Sequence, residues 1–267
     1  MRHARRFFLS ADAPALRGAS ISDVILAPDH RRADLLIRLI KSGSDLSDLD
    51  LILHGSNEFS DPIYRKLFKY PIAFSLTARG FPIRLARPLK KLAGFGPGIL
   101  DFLAWPWRAL VRAKSWVVGG LAGIDLRESV ISDAEYDALF AGFETVAGPH
   151  FRRDKAFARW RFETGPLYNA RVLRLTARGL LIGYVAMRLV EFGGLKLNVI
   201  IDIAVSRPLR GLEGLALAMK MLGRGSAQKA DVVVTLANFG NPVLRSAVGF
   251  PFVTIPEKFL PHANPVF

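Results

Sequence analysis

What this sequence lacks narrows its chemistry first. None of its 267 residues is a cysteine. That excludes disulfides, thiolate metal sites, iron–sulfur clusters and a thiol nucleophile. The five histidines stand at no paired spacing, so no metal is expected. What remains is hydroxyls, amides, carboxylates and 37 lysines and arginines against 23 acids, a net charge of +14. A surplus of that size favours an anionic partner: a phosphate-bearing cofactor, a polyanion or a membrane surface. Five of the cations, Arg152, Arg153, Lys155, Arg159 and Arg161, share a short helical pattern. They make either a solvated face or a groove for an anionic sugar nucleotide, a lipid-linked glycan or a coenzyme phosphate. No zinc-finger, RNP-like or helix-turn-helix signature accompanies them, so nucleic acid is not an expected partner.

The elements that must position such groups come as an internal repeat. Ile21-Ser22-Asp23-Val24-Ile25-Leu26 and Ile200-Ile201-Asp202-Ile203-Ala204-Val205 are each a short apolar run around an aspartate, the pattern of a buried strand. A basic turn follows each, over 28–32 and 207–211. Helical spacing comes next, with Leu35, Leu36, Leu39 and Ile40 in one copy and Leu215, Leu217, Ala218, Met221 and Leu222 in the other. A second strand then follows an aspartate, in Asp50-Leu51-Ile52-Leu53 and Asp231-Val232-Val233-Val234. Seven residues on stands Asn57 or Asn238, then Pro62-Ile63-Tyr64-Arg65 or Pro242-Val243-Leu244-Arg245. Nine residues beyond each proline is another, Pro71 or Pro251, after Tyr70 or Phe250. A helix between two such strands implies a crossover and a parallel pair. Asp23 and Asp202 are costly to bury ionised and unpaired, which favours a shared hydrogen-bonding role over catalysis.

The copies differ upstream. Before Asp202 the pattern predicts helices over 133–147 and 153–162 and strands over 170–177 and 181–190, with hairpin turns at Gly179 and Gly193-Gly194. Before Asp23 there are only 22 residues. Residues 1–91 hold 16 basic and 9 acidic residues, 92–150 hold 4 and 7, and 151–267 hold 17 and 7. Two basic blocks therefore flank a slightly acidic middle. The expected organisation is a partial lobe at 1–90, an apolar and amphipathic connector at 91–128 and a complete lobe at 129–267. The apolar run Phe7-Phe8-Leu9 is too short for a signal peptide, and a cytoplasmic protein is expected. Segment 99–118 mixes Trp105, Trp107 and Trp116 with Arg108, Arg112 and Lys114. It reads either as a stretch buried between the lobes and broken by Pro106, or as an interfacial element at a membrane surface.

The order of elements resembles the GNAT acyltransferase fold: two helices, an antiparallel meander, then strand, helix, strand, helix, strand. Residues 129–260 cover that plan and 18–80 its second half. More narrowly, the chain is similar to tandem GNAT-like proteins of bacterial surface-polysaccharide and sugar modification. The resembling residues are Trp160-Arg161-Phe162 with Pro166 and Tyr168, Gly183-Tyr184-Val185 and Val248-Gly249-Phe250. The first copy adds Ala27-Pro28-Asp29-His30-Arg31-Arg32 and Tyr64-Arg65-Lys66-Leu67. The resemblance implies an α/β fold, a GNAT-like mixed sheet flanked by helices, with a partial N-terminal second copy.

The resemblance also implies an N-acyltransferase that uses acetyl-CoA or another acyl-CoA as co-substrate, without a metal. Its acceptor would be an amine, such as an amino sugar of a surface polysaccharide. The family's phosphate loop falls on Val205, Arg210, Gly211, Leu212 and Gly214, where helix N–H groups and dipole receive the pyrophosphate. The chain departs from the motif there: Gly211 and Gly214 are three apart rather than two, and Glu213 brings a carboxylate beside the phosphates. The first copy has no glycine in Arg31-Arg32-Ala33-Asp34-Leu35. Asn238 and Asn241 would bond the pantetheine amide or cap the next helix. Tyr64 and Tyr168 are the candidate acids for the leaving thiolate and Glu191 the candidate base, while Tyr184 lies in a strand pattern that reads as core. Leu244 stands where the second copy's tyrosine is expected. The altered loops and that missing tyrosine sustain a second reading, a non-catalytic GNAT-like binding or scaffolding protein.

Overall fold

The computed structural model describes residues 5–8, 14–21, 33–44, 49–54, 61–84, 97–130, 134–147, 150–164, 170–256 and 265–266. The chain divides into two compact units, Met1–Thr77 with Gly148–Arg152 and Pro256–Phe267, and Ala78–Ala147 with Arg153–Ile255.

In chain order the strands are β1 (Arg5–Phe8), β2 (Leu16–Ile21), β3 (Leu51–His54), β4 (Phe74–Ser75), β5 (Thr77–Pro82), β6 (Ile124–Glu128) and β7 (His150–Phe151). There follow β8 (Arg171–Ala177), β9 (Leu180–Phe192), β10 (Leu195–Val205), β11 (Val232–Ala237), β12 (Val253–Thr254) and β13 (Pro265–Val266). The helices are α1 (Ala33–Ser44), α2 (Pro97–Ala122), α3 (Glu135–Val146), α4 (Lys155–Arg159), α5 (Gly211–Ala227) and α6 (Pro242–Ala247).

The first unit holds a four-stranded sheet in the order β3-β2-β1-β7. Helix α1 joins β2 to β3, which run parallel with Gly18 opposite Leu51 and Ile21 opposite His54. A strand of the first unit lies over 16–21 and reaches the start of the expected strand 21–26; residues 22–26, the turn 28–32 and Asn57 fall outside the described residues. A π-helical turn, Ile63–Leu67, buries Tyr64 against Ile40, Phe68 and Tyr70.

The second unit is built on a seven-stranded sheet, β12-β5-β11-β10-β9-β8-β6. Strands β6, β8, β9 and β10 form an antiparallel meander. Its hairpins turn at Arg178-Gly179 (φ 50° and 85°) and Gly193-Gly194 (φ 57° and 76°). Two positive φ values in succession match the right-handed strand twist, and glycine adopts them without a Cβ clash. On one face Val111 of α2 and Leu217 of α5 share a core with Ile203 and Val205. On the other, Tyr136 and Phe140 of α3 pack with Tyr184 and Ala204. The stretch 91–128 contributes α2 and the edge strand β6. Pro106 lies on the exposed side of α2, and the helix runs through it rather than breaking there.

Strands β10 and β11 are joined by a helix in parallel register, with α5 between them. Their pairing begins at a carboxylate. Asp231 accepts the Lys196 N–H at 2.8 Å and donates its own N–H to the Lys196 carbonyl at 2.7 Å. The first unit repeats this: Asp50 accepts the Arg17 N–H at 2.7 Å and donates to the Arg17 carbonyl at 2.8 Å. The repeated aspartates that precede the second strand therefore fasten it to the start of the first.

Helix α5 approaches α6 through Gly214, where a Cβ would stand 2.3 Å from the Ser246 carbonyl oxygen. Backbone cannot yield as a flexible side chain can. Gly214→Ala is expected to lower unfolding free energy in urea by about 1–3 kcal/mol. Gly211→Ala, at a position open to solvent, is expected to stay within about 0.5 kcal/mol of wild type.

Candidate functional site

Strand β10 pairs with β11 only from Leu197 opposite Val232 to Ile200 opposite Thr235. It then continues on β9 as far as Val205. Its register with β9 slips between Ile200 and Asp202, a bulge that adds local twist. Past the bulge β10 keeps one strand neighbour among the described residues. Ser206 donates its N–H to the Ile182 carbonyl at 2.9 Å. Strand alternation then turns the N–H and C=O of Ile203 and Val205 to the opposite edge, the one that β11 has left. Arg153 reaches that edge, its Nη1 donating to the Ile203 carbonyl at 3.3 Å.

The side chain of Asp202 emerges on the α3 face. Its Oδ1 lies 2.7 Å from Arg153 Nη2, and its Oδ2 accepts the Tyr184 hydroxyl at 2.7 Å. The Arg153 guanidinium also sits 5.0 Å from the centre of the Phe143 ring. Burial, then the charge of Asp202, pushes the Tyr184 hydroxyl well above its ordinary range. It therefore stays protonated and donates. The hydrogen-bonding role expected of Asp202 is what these contacts show.

The end of β10 leads into α5 through a second ion pair. Arg207 grips Glu213 with both ends of its fork, Nη1 to Oε2 and Nη2 to Oε1, each at 2.7 Å. Glu213 Oε2 also accepts the Arg210 N–H at 3.0 Å. The protein's own carboxylate thus complements the positive end of α5. Those bonds, the one from Arg207 first, lower the Glu213 carboxyl from 4.5 to about 2. Arg210, Gly211 and Leu212 are exposed around it, while Gly214 is buried against α6. Val205 has its side chain in the core and its backbone at the open edge.

Strand β11 ends on the same side of the sheet, since it is parallel to β10. There Asn238 Oδ1 accepts the Gly240 N–H at 2.9 Å. Asn241 caps α6, accepting the N–H groups of Val243 at 2.9 Å and Leu244 at 3.4 Å. Both asparagines shape the turn between β11 and α6. The structure therefore brings the candidate binding residues together at the carboxyl ends of β10 and β11. Of the candidate acid and base residues, the two that are described, Tyr64 and Glu191, are not gathered there. Tyr64 is 1% exposed in the first unit's aromatic cluster, where burial, then Tyr70, raises its hydroxyl. Glu191 faces Lys196 at 3.6 Å beside the β9–β10 hairpin. From Lys196 to Val205 is nine residues of strand, roughly 30 Å. Tyr168 lies outside the described residues.

The cations at 152–161 do not form an open groove as a set. Arg153 is bound to Asp202, Lys155 lies 3.1 Å from Asp137, and Arg159 lies 3.7 Å from Glu163. Sequence reasoning missed the grip of Arg207 on Glu213. Its signal was there, since six residues separate them across a strand-to-helix turn. Among the described residues no group of acids and histidines is arranged to hold a metal ion.

The folded Glu213 carboxyl lies below its ordinary value, so its contribution is full above about pH 4.5 and fades as pH falls toward 2. Because Arg207 is partly open to solvent, that contribution is about 1 kcal/mol. Glu213→Gln is expected to cost that much at pH 7. Its deficit against wild type in urea melts should close between pH 4.5 and 2.

No protein-family model and no curated protein matches the sequence. Solved structures do match the fold. One is a GCN5-related N-acetyltransferase from Anabaena variabilis ATCC 29413, with a TM-score of 0.57 and 12% identity over 99% of this chain and 58% of that one. Another is a conserved protein of unknown function from Enterococcus faecalis V583, described as a probable N-acyltransferase. Its TM-score is 0.53, with 12% identity over 98% of this chain and 56% of that one. The chain thus spans a little over half the length of each. The fold is GNAT-like: a mixed, mostly antiparallel sheet flanked by helices.

Proposed function

We propose that this protein transfers an acyl group from acyl-CoA to an amine. The observation that carries this reading is the parting of β10 from β11 after Ile200, beside the N-terminus of the 17-residue helix α5. A pantetheine arm carries amides and can pair with a free strand edge as another strand would. Helix N–H groups then receive its phosphates. In the reaction the amine nitrogen bonds to the thioester carbon, the C–S bond breaks, an amide forms and the thiolate leaves with a proton. The Ile203 and Val205 N–H groups are the donors at the open edge for the thioester oxygen or the arm. Arg210, Gly211 and Leu212 surround the phosphate end, and Asn238 and Asn241 hold the turn opposite. Of the candidate acids, Tyr168 takes the leaving-group role, because Tyr64 is sealed in its own cluster. Glu191 is too far along β10 to serve as base. The acceptor class is an amino sugar of a surface polysaccharide, and the charge of +14 suits an anionic glycan or membrane surface nearby.

We read the first unit as a partial second copy of the fold, with 1–90 its extent, 91–128 the connector and 129–267 the complete copy. The matching clamps of Asp50 and Asp231 support this. So does the shared register, since the sequence repeat aligns Ile21 with Ile200 and Leu51 with Val232, as the pairing does. Strand β5 is then handed from the first copy's chain into the second unit's sheet.

A second reading, a non-catalytic binding or scaffolding protein, is favoured by one observation. The Glu213 carboxylate already takes the Arg210 N–H where a phosphate would bind. Calorimetry with acetyl-CoA separates the two. Micromolar binding by wild type, lost in Gly211→Glu, supports the acyl donor site, because the new side chain meets open space and leaves folding intact. Absence of binding by folded wild type favours the second reading. In an amine-acceptor assay, Tyr168→Phe is expected to lower kcat by about 10²-fold or more, and Glu191→Gln to leave it unchanged.

A further inference from the structure

The outward face of α2 is built the wrong way round for a helix in water. Val111, Ser115 and Gly119 turn inward, with Ser115 against Gly223 and Gly119 against Lys220 of α5. The opposite side of an outer helix is normally polar. Here it carries Leu110, Val117 and Leu121, at 44, 48 and 74% exposure, with Ala113 between them. These positions recur at helical spacing along one line. Trp116 stands beside them at 78% exposure. Lys114 flanks the stripe on one side and Arg112 on the other, both exposed, and no acid occurs from Pro106 to Ala122. Next to Trp116 and Leu121 a hollow of about 780 Å³ is edged by Arg127, Lys220 and Arg224. Its single acid, Asp125, is already paired, 2.6 Å from Arg127 and 3.6 Å from Lys220.

We infer that this face docks the protein onto an anionic lipid bilayer. No helix among the described residues is long and apolar enough to cross a membrane, so the helix would lie in the interface rather than span it. An exposed tryptophan beside aliphatic residues suits the boundary between headgroups and acyl chains. Cations on both flanks, with no acid among them, match negative headgroups. A second copy of the chain is the poorer occupant, because pairing this face with itself brings the same cations together with no acid on the face to receive them. The inference stands apart from acyl transfer, which concerns the other end of α5 and the edge of β10.

The test is co-sedimentation of the full chain with vesicles of phosphatidylcholine alone and with about one third phosphatidylglycerol, at low and at high salt. A triple variant, Leu110→Glu, Val117→Glu and Leu121→Glu, is run beside wild type. Its three positions are exposed, so its melting temperature should match wild type. The expected result is binding to the anionic vesicles that weakens in salt and drops at least tenfold in the triple variant. Tryptophan emission should shift to the blue on binding in wild type and much less in Trp116→Phe. Folded wild type that stays in solution overturns the inference, as does a triple variant that binds equally well. Self-association of wild type without vesicle binding, abolished by the triple variant, also overturns it and gives the face to a second copy.

Discussion

Two carboxylates fasten the parallel strands of this protein, and the position of the cleft follows from one of them. Asp231 takes the Lys196 N–H at the head of β11 and sets the register of β11 against β10. A slip by one residue would move every side chain of β11 to the wrong face of the sheet. With the register set, the strands pair from Leu197 opposite Val232 to Ile200 opposite Thr235, and both continue past that level. Thr235 closes the last paired level, its Oγ1 donating to the Ile200 carbonyl at 3.3 Å. Everything proposed for the site lies beyond that level: the N–H groups of Ile203 and Val205 at the open edge, the bulge, and the turn into α5. The cleft opens where the two strands part, four levels from a common start.

Around the cleft the protein supplies its own counter-charges. Asp202 is buried, and a buried carboxylate persists only when it is paired and hydrogen-bonded. Arg153 and Tyr184 do both, and Arg153 also covers a carbonyl of the open edge. At the helix, Glu213 stands in for an external anion and Arg207 holds it there. An acyl donor must compete with that carboxylate for the end of α5. The same feature therefore limits affinity in the catalytic reading and motivates the non-catalytic one. Most of the cations expected to form a basic face near 152–161 are likewise spent on partners within the fold. The net charge of +14 is felt elsewhere, including the flanks of the outward face of α2.

The two parallel pairs show how a shared plan can carry different burdens. Both begin at the same clamp, with Asp50 or Asp231 in the same role. In the first unit the segment after the second strand buries Tyr64 among aromatic neighbours. In the second the corresponding segment is α6, drawn close to α5 by Gly214 and capped by Asn241. A tyrosine in one unit and a leucine in the other is thus a difference in packing before it is a difference in chemistry.

Much of the second unit was legible in the sequence alone. Strands β8, β9 and β10, both hairpin turns and the helix between β10 and β11 lie close to where periodicity and glycine spacing put them, while β6 lies in the stretch read as a connector. These features are decided within a few residues: alternation sets a strand's faces, and a two-residue turn needs its own positive φ values. The hydrogen-bonding role of Asp202 was legible for a similar reason, as a charge in an apolar run. What the sequence did not disclose depends on pairing between distant segments. Strand β5 sits beside β11, some 150 residues later, and only the closed sheet assigns it there. Glu191 looked available as a strand-end carboxylate until register placed it at the hairpin end opposite the cleft. Arg153 looked like one cation of a solvated row until the fold brought Asp202 to it. Local chemistry determined which elements form. Long-range register decided which of their side chains meet, because a contact between distant residues leaves no periodic trace in either segment.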